Sequence, residues 1–528
     1  MVSAPALNRL AAGAGALSLA VLAAGPFVGA APAQTARAAA SCETLATLAL
    51  PATTITSVQA VGAGAFKPPV RYGVVEGGSP AQLRLYATLP AFCRVSATLT
   101  PSPDSDIKAE VWMPAAGWNG KFLGVGNGGW GGTISYTALA NAVAAGYASA
   151  SNDTGHEGNT AAFAIGHPER LADLGYRAMH EMTVQAKAIV NAHYGGGLTR
   201  SIFNGCSLGG RQGIAEAMRY PEDYNGIIAG DAAINGMRLN AARVAISAVV
   251  HRSDDSYIPP EKYAAVHTAV LDACDAKDGV RDGVLEDPSR CPFDFASVQC
   301  AAGDGPACLT ASQVETATAM YAPLTHPKTG ATVFPALLVP GTELGWGVLA
   351  GPAAAEVALQ AFQYFVFKNP AWNASRFNAA TDIDLALAAD GGALELADPN
   401  LKPYFDRGGR LLMYHGLSDP QTPAANSIGY FSDVVKTVGT AAAGRNIQLY
   451  LVPGMYHCAG GPGTDTFDKV AVLETWLNSG AAPDRIVAAH RTNGTIDRTR
   501  PLCPYGQVAR WKGAGSIDEA ANFLCVAN

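Results

Sequence analysis

The sequence predicts an α/β protein interrupted by one large insertion, and three observations predict it. Short β-prone segments at Lys121–Val125, Ser201–Phe203, Leu411–Tyr414 and Ile447–Val452 each run into a loop rich in small or polar residues. The second of them is followed by a segment of helical composition that Pro221 closes. From 231 to 400 this strand and helix alternation lapses. Of the 528 residues, 49% are apolar and 15% charged, which suits a packed core and excludes a disordered chain. Length alone would allow three or four average domains, yet α/β enzymes often absorb that much chain as one core plus an insertion, so two units are expected. Basic residues number 36 against 43 acidic ones, for a net charge of -7. No basic surface is left for phosphates, and nucleic acid is excluded as a partner.

Residues 1–40 read as a signal peptide. Arg9 is the one basic group in the first thirty positions, and Leu10–Ala33 is uncharged and rich in alanine and leucine. Ala31-Pro32-Ala33 and Ala38-Ala39-Ala40 both offer small residues for cleavage. An uncleaved membrane anchor is the alternative, because the apolar stretch is long enough to span a bilayer. Cleavage leaves a secreted or periplasmic protein with no membrane contact. All ten cysteines, Cys42, Cys93, Cys206, Cys274, Cys291, Cys300, Cys308, Cys458, Cys503 and Cys525, lie after this segment. An even number in an exported chain indicates disulfides. Zinc is the rival reading, but neither a C-x-x-C pair nor an H-x-x-x-H cluster is present. Five bridges are expected, with a connectivity that the count does not supply.

The chemistry centres on Gly205-Cys206-Ser207-Leu208-Gly209, a G-x-S-x-G pattern between the second β-prone segment and its helix. Small flanking residues let a sharp turn lift the serine hydroxyl above the sheet edge. The helix that follows points N–H groups toward an oxygen that turns negative during acyl transfer. A serine hydroxyl is a poor nucleophile at neutral pH and needs an imidazole base, itself held by a carboxylate. Asp419 and His457 follow in the required order, each in the loop after an apolar strand. Taken singly, Asp419 is a turn cap before Pro420 and His457 a surface histidine. Their neighbours change the weighing, since Cys206 precedes the serine and Cys458 follows the histidine. A bridge between the two would hold their Cα atoms about 4.4–6.8 Å apart and bring serine to imidazole. The plainer alternative is that each pairs elsewhere.

These residues resemble the tannase and feruloyl esterase family, which also includes the mono(2-hydroxyethyl) terephthalate hydrolase. The resemblance rests on Gly205-Cys206-Ser207-Leu208-Gly209-Gly210, Asp419 and His457-Cys458, with Gly126-Asn127-Gly128-Gly129, the stretch 151–156 and the cysteine layout. It implies an α/β-hydrolase fold with Ser207 as nucleophile, His457 as base and Asp419 as orienting acid. It also implies the pairs Cys206–Cys458, Cys42–Cys93, Cys274–Cys291, Cys300–Cys308 and Cys503–Cys525. The oxyanion donors are then the Leu208 N–H and a second group, assigned to Gly129 in the glycine run after Lys121–Val125. Gly124, Gly126 and Gly129 also spell a dinucleotide-binding pattern, but no helix-forming run follows them.

In the insertion, Asp275, Asp278 and Asp282 interleave with the main-chain carbonyls of Val280 and Val284. That oxygen-only set suits calcium, as does the family resemblance, and solvated acids are the alternative. Acyl transfer through serine needs no metal, so the calcium is expected to be structural. The segment 341–373 concentrates aromatics, among which Trp346 and Phe365 are chosen as substrate contacts and the rest as the insertion's own core. In the terephthalate-ester enzyme a lid arginine grips the substrate's free carboxylate, and 341–373 contains no arginine.

The resulting expectation is an exported serine esterase with a catalytic core at 41–230 and 401–528 and a lid at 231–400. Its partner is a small ester of an aromatic acid, free or attached to plant polysaccharide: ferulates first, galloyl esters second, terephthalate monoesters third. A hydrolase-fold protein that binds such esters or plant polymers without turnover is the rival, and the complete Ser, Asp and His set speaks against it.

Overall fold

The computed structural model describes residues 40–71, 74–75, 77–396 and 398–528. The expected signal peptide, apart from Ala40, lies outside the described residues. Nine strands form the central sheet: β1 (Thr53–Val61), β2 (Phe92–Leu99), β3 (Ile107–Pro114), β4 (Lys121–Val125), β5 (Ala148–Asn152), β6 (Arg200–Cys206), β7 (Gly226–Gly230), β8 (Arg410–Gly416) and β9 (Ile447–Val452). Their spatial order is β1-β2-β3-β5-β4-β6-β7-β8-β9. The first three pairings are antiparallel. From β5 onward every pairing is parallel. The parallel strands β7 and β8 carry continuous apolar runs because both of their faces are covered.

Helices α1 (Tyr136–Ala144), α2 (Ala178–Tyr194), α3 (Leu208–Arg219), α4 (Gly236–Val250), α5 (Ala424–Val438) and α6 (Lys469–Ser479) supply most of that cover. Met179, Met182 and Ile189 of α2 pack with Ile214 of α3 and Tyr430 and Val434 of α5 in one apolar layer. Leu139 and Val143 of α1 join Leu473 and Trp476 of α6 in the other. The result is the three-layer α/β-hydrolase arrangement, and its loops at the carboxyl ends of β4, β6, β8 and β9 converge on one edge.

Among the described residues, the segment 231–400 adds no strand to this sheet, its own strands being the short pair Leu324–Thr325 and Thr332–Phe334. It holds an apolar cluster of its own around Trp346 and shares a second, around Phe362, with Trp130, Ala161, Leu174 and Leu208 of the core. Five disulfides are formed: Cys42–Cys93, Cys206–Cys458, Cys274–Cys291, Cys300–Cys308 and Cys503–Cys525. These are the pairs that the family resemblance implies. Among the described residues no helix is long and apolar enough to cross a membrane.

Candidate active site

Ser207 sits between β6 and α3 with φ 62° and ψ -121°, a backbone state that non-glycine residues hold only when the surroundings impose it. Its N–H donates to the Gly230 carbonyl (2.9 Å), and its own carbonyl accepts from Arg211 and Ala233 N–H (3.1 Å each). The glycines around it are required by contact distance. A Cβ on Gly205 would lie 2.4 Å from the Gly209 carbonyl oxygen, and one on Gly126 would lie 2.6 Å from the Gly209 Cα. Only bare backbone lets β4, β6 and the start of α3 converge this closely.

The loop after β4 is tied to α3 through Asn127. Its N–H donates to Gln212 Oε1 (3.0 Å), its Oδ1 accepts from Gln212 Nε2 (3.1 Å), and its carbonyl accepts from the Gly209 N–H (2.8 Å). Its Nδ2 donates to the carbonyl of Asn152 (2.7 Å), at the end of β5. Gly128 and Gly129 follow, with Gly129 at φ 57° and the next N–H, that of Trp130, donating to Asn159 Oδ1 (2.6 Å). Leu208 is the first residue of α3, so its N–H has no acceptor within the helix. Both oxyanion candidates therefore border the Ser207 cavity.

Asp419 lies three residues past β8, and His457 five residues past β9. The two loops are zipped by main-chain bonds, Leu417 N–H to Val452 O (2.9 Å) and Ser418 N–H to Met455 O (3.1 Å). Ser207 Oγ donates to His457 Nε2 at 2.8 Å, and His457 Nδ1 donates to Asp419 Oδ2 at 2.6 Å. The other oxygen of Asp419 accepts the N–H groups of Gln421 (2.8 Å) and Thr422 (2.9 Å). The Cys206–Cys458 disulfide, with Cα atoms 6.0 Å apart, joins the residues next to serine and histidine.

Two groups near this trio carry no signal in the sequence analysis. His415, fully buried, donates from Nε2 to the Thr422 carbonyl (2.8 Å) and meets Ser427 Oγ through Nδ1 (2.7 Å). Asp231, equally buried, accepts the Gly416 N–H (2.9 Å). Burial raises the Asp231 pKa to about 6, against the pull of His415. For Asp419, burial works the same way, but the nearby His415 and the hydrogen-bonded His457 outweigh it and hold the carboxyl well below the usual range. Burial disfavours the His415 imidazolium, yet the facing Asp231 and Asp419 outweigh that cost and raise its pKa. Asp419 thus stays ionised wherever the chain is folded at ordinary pH.

The cavity over Ser207 measures about 660 Å³, enough for a small ester. Trp130 and Asn159 wall it, with Arg243, Val357 and Leu394 contributed from the 231–400 segment. Trp346 is not at this wall. It is 0% exposed, donates from Nε1 to Tyr321 Oη (3.1 Å) and packs on Tyr263 and Phe295. Its ring fills the insertion's own core, which corrects its choice as a substrate contact. Phe365 stands one layer back, edge-on to Trp130 with centroids 5.2 Å apart, so it backs the wall without forming it. Arginines do border the cavity from outside 341–373: Arg211 from α3 and, from α4, Arg243. Its guanidinium is engaged with the Gln421 carbonyl (3.1 Å), Asn240 Oδ1 (3.1 Å) and Thr422 Oγ1 (3.2 Å).

In the acidic loop, Asp278, Val280, Asp282 and Val284, with Glu286, line a small cavity of about 20 Å³. Asp275 does not line it. Its carboxylate accepts the N–H groups of Asp282 (3.4 Å) and Gly283 (3.1 Å) and so closes the loop. Asp282 is also held by the Arg500 guanidinium. Its carboxylate and carbonyl oxygens suit a hard cation in kind, while Arg498 and Arg500 line the same cavity and already pair with Asp282.

Comparison with known proteins follows the same lines. A family model described as tannase and feruloyl esterase matches residues 93–526. An uncharacterised esterase of Xanthomonas campestris is 35% identical, over 93% of this chain and 92% of its own length. A probable feruloyl esterase B-1 of Aspergillus flavus is 30% identical, over 82% of this chain and 86% of its own. The crystal structure of feruloyl esterase B from Aspergillus oryzae superposes with a TM-score of 0.84 at 28% identity, covering 92% of this chain and 99% of that one.

Three variants test the construction. Gly205→Ala puts a methyl group 2.4 Å from the Gly209 backbone and is expected to cost about 3 kcal/mol or more by thermal melting. The control is Gly128→Ala, whose added Cβ meets nothing within 4 Å; its melting temperature should stay close to that of the parent. Replacing Cys206 and Cys458 together by alanine should lower kcat/KM on a soluble aryl ester by about a hundredfold, the effect of an ångström-scale misplacement of reacting groups. Unchanged turnover in the double variant would remove the bridge from the account.

Proposed function

The chain belongs to the tannase and feruloyl esterase family and is a carboxylic ester hydrolase, and from that premise we propose that it is an exported serine esterase cleaving esters of aromatic acids, with feruloyl and related hydroxycinnamoyl esters preferred. The observation that carries this reading is the continuous path from Ser207 Oγ to His457 Nε2 (2.8 Å) and from His457 Nδ1 to Asp419 Oδ2 (2.6 Å) at the floor of the cavity. His457 takes the hydroxyl proton as Ser207 Oγ attacks the ester carbonyl. Asp419 keeps the imidazole in the tautomer that presents Nε2 and balances the imidazolium. Main-chain N–H groups of Leu208 and Gly129 stabilise the oxygen that becomes negative. His457 then returns the proton to the departing alcohol, and water repeats the sequence to free the acid.

The ranking of substrates rests on two supports. Relatives at 30% identity are named probable feruloyl esterases, whereas the tannin acyl hydrolase from Aspergillus niger, at 22% identity, speaks to the fold alone. Three of the nitrogens of Arg243 already hold protein oxygens, so this side chain is poorly placed to grip a free terephthalate carboxylate. Export is supported by five disulfides in a chain with no free cysteine among the described residues.

Calcium is assigned to the acidic loop as a structural ion. Asp278, Asp282 and the carbonyls of Val280 and Val284 would hold it, with Asp275 closing the loop behind them. When bound, it would neutralise the carboxylates of Asp278 and Glu286 that the Arg498 and Arg500 pairing with Asp282 leaves unmatched. No step of ester cleavage passes through it.

Hydrolysis of methyl ferulate should fall at least about 10⁴-fold in Ser207→Ala, and release of free acid unaffected by that change would overturn the mechanism. Parallel rates on methyl ferulate, methyl gallate and mono(2-hydroxyethyl) terephthalate should decrease in that order; fastest turnover of the third would reverse the specificity reading. Removing calcium with a chelator should lower the melting temperature by several degrees, and added calcium should restore it in the parent but not in Asp278→Asn. A chelator without effect on melting would refute the metal assignment while leaving the esterase reading intact.

A further inference from the structure

At the far end of α3 from Ser207, three donor groups from three separate elements converge. They are His180 on α2, Glu216 on α3 and Asp223 in the turn before β7, and one ligand atom from each lies within 4.8 Å of the other two. His180 Nδ1 stands 2.6 Å from Asp223 Oδ2, and the imidazole is stacked on Tyr220 at 3.7 Å, which sets its plane. Glu216 is 1% exposed, and neither of its carboxylate oxygens has a hydrogen-bond partner. A buried carboxylate left unpaired is costly, so its persistence calls for a counterpart. The cation at hand, Lys187, is turned to Asp223: its Nζ donates to the Asp223 main-chain carbonyl and lies 3.9 Å from Oδ1. Glu216 points into the cluster, where the group that faces it is the Asp223 carboxyl and not a cation.

We propose that His180, Glu216 and Asp223 bind one divalent cation of the zinc type, which clamps α2, α3 and the turn after α3 together. An imidazole nitrogen with two carboxylates is a donor set for zinc, whereas calcium and magnesium prefer oxygen alone. The ion takes the place of the proton between His180 Nδ1 and Asp223 Oδ2 and of the proton shared by the Glu216 and Asp223 carboxyl groups, and both protons leave to solvent. Metal bonds of about 2.0–2.2 Å require ligand atoms roughly 3.3 Å apart, so the Nδ1 and Oδ2 atoms separate by less than about 1 Å, a side-chain adjustment. The His180 side chain is 22% exposed, which leaves room for water as a fourth ligand. The site is distinct from the acidic loop at 275–284, whose donors are all oxygen. It does not touch the reacting atoms, and it braces from its carboxyl end the helix whose first turn follows Ser207.

The test uses the full chain stripped with a chelator, resupplied with calcium and titrated with zinc chloride alone. The parent should bind one zinc, with a melting temperature raised by about 2–3 °C at a hundredfold excess over Kd. Both effects should vanish in His180→Gln and Glu216→Gln and persist in Asp278→Asn. A parent that takes up no zinc overturns the proposal and leaves Glu216 and Asp223 as carboxyl groups sharing a proton. Binding that survives in His180→Gln or Glu216→Gln also overturns it, by placing the ion elsewhere. Should those variants fail to fold, Glu216→Leu removes the buried charge with an apolar chain. It is expected to fold without binding zinc, and zinc binding in it refutes the site.

Discussion

A covalent constraint between two distant loops sets the reactive geometry. Ser207 follows β6 and His457 follows β9, with β7 and β8 lying between those strands. Three strand spacings amount to about 14 Å, too far for a hydroxyl to reach an imidazole if each loop simply left its strand. The loop after β9 must turn back across the sheet edge, and the Cys206–Cys458 bond holds it there with Cα atoms 6.0 Å apart. The bridge spans 252 residues of sequence. In the chain-entropy account a closure of that length contributes about 5 kcal/mol, on the scale of a whole domain's net stability. The main-chain bonds of Leu417 and Ser418 to the same loop carry the Asp419 turn along with it.

The second constraint is electrostatic. Asp419 is an almost fully buried charge, a state that is stable only when its oxygens are saturated. Two main-chain N–H groups take one oxygen and His457 takes the other, with His415 close behind. Asp231 faces the same His415 nitrogen (3.8 Å) as Asp419 does (3.6 Å), so one imidazole sits between two carboxylates beneath the serine, and His457 pairs with the second of them. Neighbouring opposite charges in a dry site hold one another in place, and the orienting acid keeps its negative charge because of that arrangement.

The 231–400 segment shows where aromatic density misleads. Trp346, Phe362 and Trp372 are all buried, because large rings are also what a small apolar cluster needs to fill its volume. The aromatic rings that do wall the cavity come from the core, Tyr414 from β8 and, from the glycine-rich loop, Trp130. Its neighbour Asn159 takes the Trp130 N–H and would lie 2.2 Å from a Cβ on Gly129. The glycine there serves the packing of this loop as well as any approach by substrate. Arg243 escaped notice for a related reason, since it lies in α4, well before the aromatic run, and meets the cavity only through folding.

Four of the nine central strands with the loops after them, the serine turn, the acid and the base were legible in the sequence because each depends on near neighbours along the chain. A β-prone run, a glycine pair and a helix start within a dozen residues are enough to define such a turn, and paired cysteines beside two reactive residues state their proximity without coordinates. What the sequence by itself determined is therefore the parts of the site that follow from local backbone demands and from covalent linkage. Only the tertiary structure decided which side chains of the insertion face the cavity, that His415 and Asp231 flank the acid, and that Glu216 lies buried beside His180 and Asp223. Those facts depend on which face of an element is turned inward, and that is settled by packing between segments far apart in the chain.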